Sequence, residues 1–98
     1  MIISGGENIY PAEVEAAIAE LEAVQSVAVI GVDDDKWGEV PRAVVTLREG
    51  ASLSQEQLRT YLDGRLARYK IPKSVVVIDE MPRTASGKIR KMELRKQL

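Results

Sequence analysis

The chain contains no cysteine, no histidine and no phenylalanine among its 98 residues. Because cysteine is missing, the sequence excludes disulfides, a thiolate nucleophile and a cysteine-based zinc site, and nothing marks it as secreted. The lack of histidine removes the commonest metal ligand and the usual general base near neutral pH. Any acid–base chemistry would therefore depend on Asp, Glu, Lys or Tyr, and we expect no metal site within these residues.

Long apolar runs and a leader sequence are also missing. No stretch approaches the roughly 20 apolar residues that span a bilayer, and the first six residues lack the basic start and apolar core of a signal peptide. We therefore expect a cytoplasmic protein without a membrane span. The content of 45% hydrophobic and 30% charged residues is typical of a globular chain, and 98 residues suit one domain.

The net charge of −1 conceals a marked asymmetry along the chain. Residues 1–82 hold eight basic and fourteen acidic side chains, a balance of −6, whereas residues 83–98 hold six basic and one acidic, a balance of +5. The basic end has two interpretations, a solvated helix face or a docking surface for an anionic partner. Nucleic acid is not the expected partner, because the rest of the chain is acidic and aromatic residues make up only 4%.

Hydrophobic periodicity predicts an α+β fold in the order βαββαβα, with helices packed on a small sheet of about three main strands and a short N-terminal hairpin. Pro11 suits the first turn of a helix, and Ser54 with Gln57 has the form of a capping box. The continuous apolar run 75–78 predicts a central strand. The first half of the chain is predicted as a strand at 1–4, a turn at 5–8 with a return at 9–10, a helix at 11–22, and strands at 24–32 and 41–48 around a loop at 33–39. The second half is predicted as a turn at 49–52, a helix from Ser54, a strand at 75–78, a loop at 82–87 and a helix at 88–97. The helix from Ser54 is expected to bury Leu58, Tyr61, Leu62 and Leu66, and the last helix has Ile89, Met92 and Leu94 as its apolar residues.

The segment PRTASGK, residues 82–88, is the most specific motif of the sequence. It is not a phosphate-binding P-loop, since the first glycine of that motif is missing and Ile89 stands where the motif needs Ser or Thr. Small and hydroxyl-bearing residues leave the loop backbone open, and Lys88 follows them directly. The pattern indicates a flexible loop that presents a cation to a phosphate or carboxylate oxygen; the alternative is a plain exposed loop.

Two further segments are candidates for binding. Gly5 and Gly6 lie between apolar stretches and allow positive φ and a close approach by the backbone, although a simple hairpin turn explains the same pattern and, on the pattern alone, is favoured. Trp37 is the single tryptophan and lies in an acidic loop. Its ring either fills the edge of the core or offers an exposed face to a base or ligand.

Four blocks of sequence occur in the order and spacing of a known domain. They are MIISGGENIYPAEVE at 1–15, the pair Trp37-Gly38, YKIPK at 69–73 and PRTASGKI at 82–89. Together they extend over nearly the whole chain, which resembles the C-terminal domain of acyl-CoA synthetases. These enzymes belong to the adenylate-forming superfamily, with luciferases and the adenylation domains of peptide synthetases.

The resemblance implies a two-step reaction with ATP and coenzyme A as substrates. A carboxylate and ATP give an acyl-adenylate and pyrophosphate, and the CoA thiol then displaces AMP. Lys88 matches the family's adenylation lysine, whose charge stabilises carboxylate and phosphate oxygens. The implied CoA-binding residues are Gly5 and Gly6 in the loop lining the pantetheine tunnel, Trp37 and Tyr69 near the nucleotide, and Lys73, with Lys70 as a poorer match, near the phosphates.

The resemblance also implies that much of the enzyme lies outside these residues. A large N-terminal domain would hold the ATP loop and the acyl pocket, and a hinge residue would precede Met1. Residues 1–98 are therefore expected to be one mobile domain that catalyses neither step alone, with Mg²⁺ bound in the parent enzyme outside it. The abrupt apolar start of the chain agrees with a position inside a longer protein. Because the acyl pocket would lie outside these residues, the sequence leaves medium-chain, long-chain and aromatic acids all open as substrates.

A second role follows from the same resemblance. In this family the lysine that matches Lys88 is a target of protein acetyltransferases, and acetylation would remove the charge that adenylation needs. The alternative function is therefore that of a regulatory substrate, modified at Lys88 by an acetyltransferase and restored by a deacetylase.

Overall fold

The computed structural model describes all residues, 1–98, as a five-stranded sheet with helices on both faces. The predicted α+β class is confirmed. The elements in chain order are β1 (Ile2–Ser4), β2 (Glu7–Ile9), α1 (Pro11–Ala19), β3 (Val24–Asp34), β4 (Gly38–Leu47), α2 (Gln55–Leu62), a 3-10 turn (Arg68–Lys70), β5 (Ser74–Val77) and α3 (Lys91–Gln97).

Strand β4 is the centre of the sheet. It pairs antiparallel with β3 over Gly38 to Leu47, antiparallel with β1 at one position, and parallel with β5. The prediction that residues 75–78 form a central strand is therefore wrong. Strand β5 pairs with β4 and leaves Val77 48% exposed. An apolar run identifies a strand, but its place in the sheet is decided by long-range pairing that the run does not encode.

The two faces of the sheet carry separate cores. One core joins α1 and α2 to the sheet through residues such as Ile18, Leu58 and Val45, whereas the other joins α3 to the sheet through Leu94 and Val44. Adjacent residues of β4 thus face opposite cores, as the two-residue repeat of a strand requires. A strand buried on both faces has to be almost continuously apolar, which explains the run Ala43-Val44-Val45.

The predicted starts of the first two helices are confirmed, whereas the predicted end of the first helix is not. Pro11 is the first residue of α1, and Ser54 and Gln57 form both hydrogen bonds of the capping box at α2. Helix α1 ends at Ala19, three residues before the predicted 22, because the Leu21 N–H donates to the Ile18 carbonyl in a tight turn that leads into β3.

The last helix is shorter than predicted, and Leu94 is the only one of its three predicted apolar residues that is both helical and buried. It begins at Lys91, since Ile89 forms a bridge back to Arg83 and is not helical. Met92, expected to face the core, is 74% exposed, whereas Leu94 is buried. Residues 88–90, which were predicted to be helical, thus belong to the preceding loop.

Ion pairs attach α3 to the rest of the domain. Lys91 Nζ lies 2.7 Å from Glu15 Oε2 of α1, and Arg95 Nη2 lies 4.0 Å from Glu39 Oε2 of β4. Two of the six basic side chains of residues 83–98 thus pair with acidic side chains of residues 1–82. These two charges hold α3 in place, a role that neither interpretation of the basic end had included. No helix of the structure has the length and apolar character needed to cross a membrane.

Glu15 joins three elements at the outer edge of β3. Its Oε2 atom accepts a hydrogen bond from the buried Val29 N–H at 2.8 Å and is the same atom that pairs with Lys91. An edge strand leaves such N–H groups without a partner in the sheet. The carboxylate therefore satisfies the strand and holds the two helices together.

We predict that Glu15→Ala lowers the free energy of unfolding by about 1–3 kcal/mol, because the Val29 N–H is left unpaired in the interior. Glu15→Gln should lose less unfolding free energy, since its amide oxygen can still accept the hydrogen bond from the Val29 N–H. Urea denaturation of both variants measures the effect, with Glu20→Ala at the exposed end of α1 as the matched control. Equal stability of Glu15→Ala and Glu20→Ala would contradict the assignment.

Candidate functional site

The first candidate segment is a two-residue hairpin turn. Ser4 pairs with Glu7 across Gly5 and Gly6, so the return strand begins two residues earlier than predicted. The glycines have φ values of +57° and +85°. Positive φ at both positions is the geometry of the type I′ turn, which disfavours other residues. The turn leaves Gly5 and Gly6 exposed at one end of the sheet.

Trp37 lies directly on this turn. The Gly5 N–H donates to the Trp37 carbonyl at 2.8 Å, and a Cβ placed on Gly5 would lie 2.7 Å from Trp37 Cε3. Trp37 is 44% exposed, and the centroid of its ring lies 4.8 Å from Lys36 Nζ. The structure thus brings together two residues that are 32 positions apart in sequence, and it leaves an exposed ring beside an open backbone.

Asp34 fixes the tryptophan loop and was not identified from the sequence. Its Oδ2 atom accepts from the Lys36 N–H at 3.1 Å and from the Trp37 N–H at 2.9 Å. An aspartate that bonds N–H groups two and three residues ahead is a common turn-forming pattern. That spacing was the available signal for its role.

Tyr69 and Lys70 lie in the 3-10 turn that precedes β5. Lys70 Nζ pairs with Glu13 Oε1 at 2.8 Å and lies 5.7 Å from the Tyr69 ring centroid. The hydrogen bond that Lys70 donates to Glu13 raises the pKa of Lys70, and it outweighs the opposite effect of partial burial. Lys70 therefore holds this turn against α1, and its charge is already neutralised by a carboxylate.

Lys73 is held by its backbone and keeps its side chain exposed. Its N–H donates to the Pro41 carbonyl of β4 at 2.9 Å, and the preceding carbonyl, of Pro72, accepts from Gln55 Nε2 at 2.9 Å. Lys73 makes no ion pair. Of the two lysines in the YKIPK block, it is the one whose charge has no carboxylate partner.

The turn at Gly5 and the segment at Lys73 lie along the same edge of β4. Ser4 pairs with Gly38, and Lys73 bonds Pro41 three residues further along the strand. Three residues of a strand span about 10 Å. The sheet therefore brings the glycine turn, Trp37 and Lys73 to one region of the surface, although no hydrogen bond joins Trp37 to Tyr69 or Lys73.

A polar cleft of about 910 Å³ opens between α2 and the segment that leads to β5. Lys73 lines it together with Arg59, Arg68, Glu56 and Asp63. Charges of both signs and a single hydrophobic residue give it no resemblance to a pocket for an acyl chain. The cleft lies beside Lys73 and away from Lys88.

Lys88 ends a loop that is closed by hydrogen bonds, which corrects the prediction of a flexible loop. The Thr84 N–H donates to the Lys88 carbonyl at 2.8 Å, and Arg83 Nη1 donates to the Gly87 carbonyl at 2.8 Å. The Lys88 side chain is exposed and makes no ion pair. The backbone at Lys88 is thus held while its ammonium group is free to meet an anion.

The Lys88 loop and the glycine turn lie at opposite ends of α3. Lys88 precedes the helix, whereas Arg95 near its end reaches Glu39, two residues after Trp37. The seven residues of α3 extend about 10 Å. The domain therefore presents two separate surface regions, one cationic and one with an aromatic ring and an open backbone.

The chain offers no site that fits a metal ion. No group of three or more Asp or Glu side chains converges, and the run of acidic residues at 33–35 uses Asp34 to bond its own backbone. Octahedral Mg²⁺ needs several convergent oxygen ligands. The residues of this domain do not provide them.

The small α+β fold and its two loops agree with the C-terminal domain that the sequence resembles. Residues 13–88 match the family described as the AMP-binding enzyme C-terminal domain. The chain belongs to that family. The resemblance seen in the sequence is therefore confirmed.

Relatives of known description are longer than this chain. The indoleacetate–CoA ligase of Aromatoleum aromaticum is 55% identical over 97% of the chain, which spans 19% of that protein. A fatty acyl CoA synthetase structure from Mycobacterium tuberculosis superposes with a TM-score of 0.91 at 48% identity, over 99% of the chain and 19% of its own length. The structure of ATP-bound MatB from Rhodopseudomonas palustris superposes with a TM-score of 0.92 at 41% identity, over 97% of the chain and 19% of its own length. The chain thus spans about a fifth of the length of the relatives it matches.

The contact between Trp37 and Gly5 gives a testable prediction. Gly5→Ala should displace the indole and shift the emission of the single tryptophan, because its Cβ would overlap the ring. Gly6→Ala is the matched control, since it also has positive φ but nothing lies within 4 Å of its Cβ. Both variants should lose stability by about 1 kcal/mol or more from backbone strain. Identical emission spectra of the two variants would contradict the contact.

Proposed function

We propose that the chain is the C-terminal domain of an AMP-forming acid–CoA ligase, which joins a carboxylic acid to coenzyme A at the expense of ATP. In the first step a carboxylate oxygen attacks the α-phosphorus of ATP and pyrophosphate leaves. In the second step the CoA sulfur attacks the acyl carbon and AMP leaves. Family membership and the names of the relatives, which are CoA ligases and acyl-CoA synthetases, support this assignment.

The observation that carries the proposal is the free ammonium group of Lys88 on a closed loop. An anionic carboxylate and an anionic α-phosphate repel each other as they approach, and a fixed cation between them offsets this repulsion. A lysine already paired with a carboxylate could not do this without first losing its partner. Lys88 is exposed and unpaired, unlike Lys70 and Lys91, which pair with Glu13 and Glu15.

The surface around Trp37 is proposed to meet coenzyme A in the second step. Gly5 and Gly6 expose backbone to which a narrow pantetheine chain can approach closely. The Trp37 and Tyr69 rings, 44% and 37% exposed, offer faces for stacking with the adenine base. Lys73 supplies an unpaired cation for a CoA phosphate, whereas the pairing of Lys70 with Glu13 argues against a phosphate contact by Lys70.

The position of the two regions at opposite ends of α3 supports a mobile domain. Lys88 and the glycine turn cannot occupy the same place at once, so each step needs a different orientation of the whole domain toward a nucleotide bound elsewhere. We propose that a larger N-terminal domain holds ATP, Mg²⁺ and the acid, and that residues 1–98 alone catalyse neither step. A cytoplasmic location belongs to the same proposal and is supported by the lack of cysteine.

This domain is not expected to select the acid. It resembles an indoleacetate–CoA ligase and a fatty acyl CoA synthetase to nearly the same degree, although an aromatic acid and a fatty acid differ greatly in shape. The cleft beside Lys73 is polar. Aromatic and fatty acids therefore stay equally compatible with the chain.

We predict that Lys88→Ala in the full ligase reduces acyl-adenylate formation by about 10²-fold or more, which is the usual cost of removing a preorganised charge. Thioester formation from supplied acyl-adenylate should stay within a few-fold of the wild-type rate. Pyrophosphate release and single-turnover thioester formation measure the two steps separately.

A complementary variant separates this assignment from general damage to the domain. Gly6→Leu should slow the CoA step and spare the adenylation step, because a side chain would obstruct the open backbone. Equal loss of both half-reactions in Lys88→Ala would contradict the division of roles between the two regions.

A second function rests on the same lysine. We propose that Lys88 is a substrate for a protein acetyltransferase and a deacetylase, since an exposed, unpaired lysine beside Gly87 on a protruding loop is accessible to another enzyme's active site. Acetylation would remove the charge on which adenylation depends.

An acetyltransferase with labelled acetyl-CoA should transfer label to this chain at Lys88 and leave Lys88→Arg unlabelled. Lys91→Arg is the matched control, because Lys91 is paired with Glu15 and should contribute little label. Equal labelling of the wild type and Lys88→Arg, measured by mass spectrometry of peptides, would overturn the assignment.

A further inference from the structure

Thr84 forms the two hydrogen bonds that hold the Lys88 backbone. Its N–H donates to the Lys88 carbonyl at 2.8 Å, and its Oγ1 accepts from the Lys88 N–H at 3.2 Å. Its own carbonyl accepts from the Gly87 N–H at 2.9 Å. Both backbone polar groups of Lys88 are therefore bonded to one residue four positions earlier.

The remaining bonds of the loop support this arrangement without touching Lys88. Ser86 Oγ lies 2.9 Å from Thr84 Oγ1, and Arg83 Nη1 bonds the Gly87 carbonyl. The Arg90 N–H donates to the Pro82 carbonyl at 2.8 Å and closes the base of the loop. The loop is thus a small hairpin whose register is fixed at its base and at Thr84.

We propose that Thr84 is a positioning residue that acts through Lys88 in adenylation. A lysine side chain is a flexible four-carbon stem, so its ammonium group reaches a defined point only if the backbone that carries it is fixed. The Thr84 hydroxyl removes freedom at the Lys88 N–H, at the start of that stem. This inference rests on the proposed adenylation role of Lys88.

Thr84 is suited to a test because it is exposed and its replacement should not disturb a core. Thr84→Val keeps the shape and removes the hydroxyl, whereas Thr84→Ser keeps the hydroxyl. Ser86→Ala is the matched control, since it removes a neighbouring hydroxyl that bonds Thr84 but not Lys88. Unchanged unfolding midpoints would establish that any loss is local.

In the full ligase we expect Thr84→Val to slow the adenylation half-reaction about tenfold to a hundredfold, the usual effect of a small misplacement of a reacting group. The thioester half-reaction should be unchanged, and Thr84→Ser should restore adenylation. On residues 1–98 alone, amide hydrogen exchange at Lys88 should accelerate in Thr84→Val and not in Ser86→Ala.

Two results would overturn the inference, and they differ from failure of the proposed function. Wild-type adenylation by Thr84→Val, with Lys88→Ala inactive, would show that the lysine acts without its threonine. A loss of adenylation without faster exchange at the Lys88 amide would exclude action through the backbone. If Lys88→Ala itself kept full adenylation activity, the proposed function would fail first.

Discussion

The hydrogen-bonded ladder of β4 is the constraint on which the rest of this domain depends. One strand supplies the partner for β3 along one edge and for β1 and β5 along the other. Its alternate side chains enter the two cores, so that α1 and α2 pack on one face and α3 on the other. The same strand places the glycine turn beside its first residue and Lys73 beside its fourth.

Local chemistry in the sequence predicted much of this fold. Pro11 at a helix start, the Ser54 capping box and the two β-branched runs that make the main hairpin all act within a few residues, so their signals survive in the sequence. What the sequence did not predict was decided at long range. The apolar runs of β4 and β5 look alike, and only pairing between distant residues makes the first central and the second an edge.

The candidate site divides in the same way. Gly5, Gly6 and Lys88 could be identified because turn glycines and a lysine after a small-residue loop are local patterns. The bond of Gly5 to Trp37 and the pairing of Lys70 with Glu13, 57 residues away, depend on the folded sheet and had no local signal. The closed form of the Lys88 loop is a different case, because the hydroxyl residues that close it were visible but were interpreted only as a source of flexibility.

The attachment of α3 has a consequence for the sensitivity of the domain to ionic strength. Leu94 is the helix's one deeply buried side chain, and the remaining contacts include ion pairs at its two ends, Lys91 with Glu15 and Arg95 with Glu39. Mobile ions screen such half-exposed pairs over a Debye length of about 8 Å at physiological concentration. Because α3 directly follows the lysine loop, concentrated electrolyte should weaken the attachment of α3, and with it of that loop, at salt concentrations that leave the sheet intact.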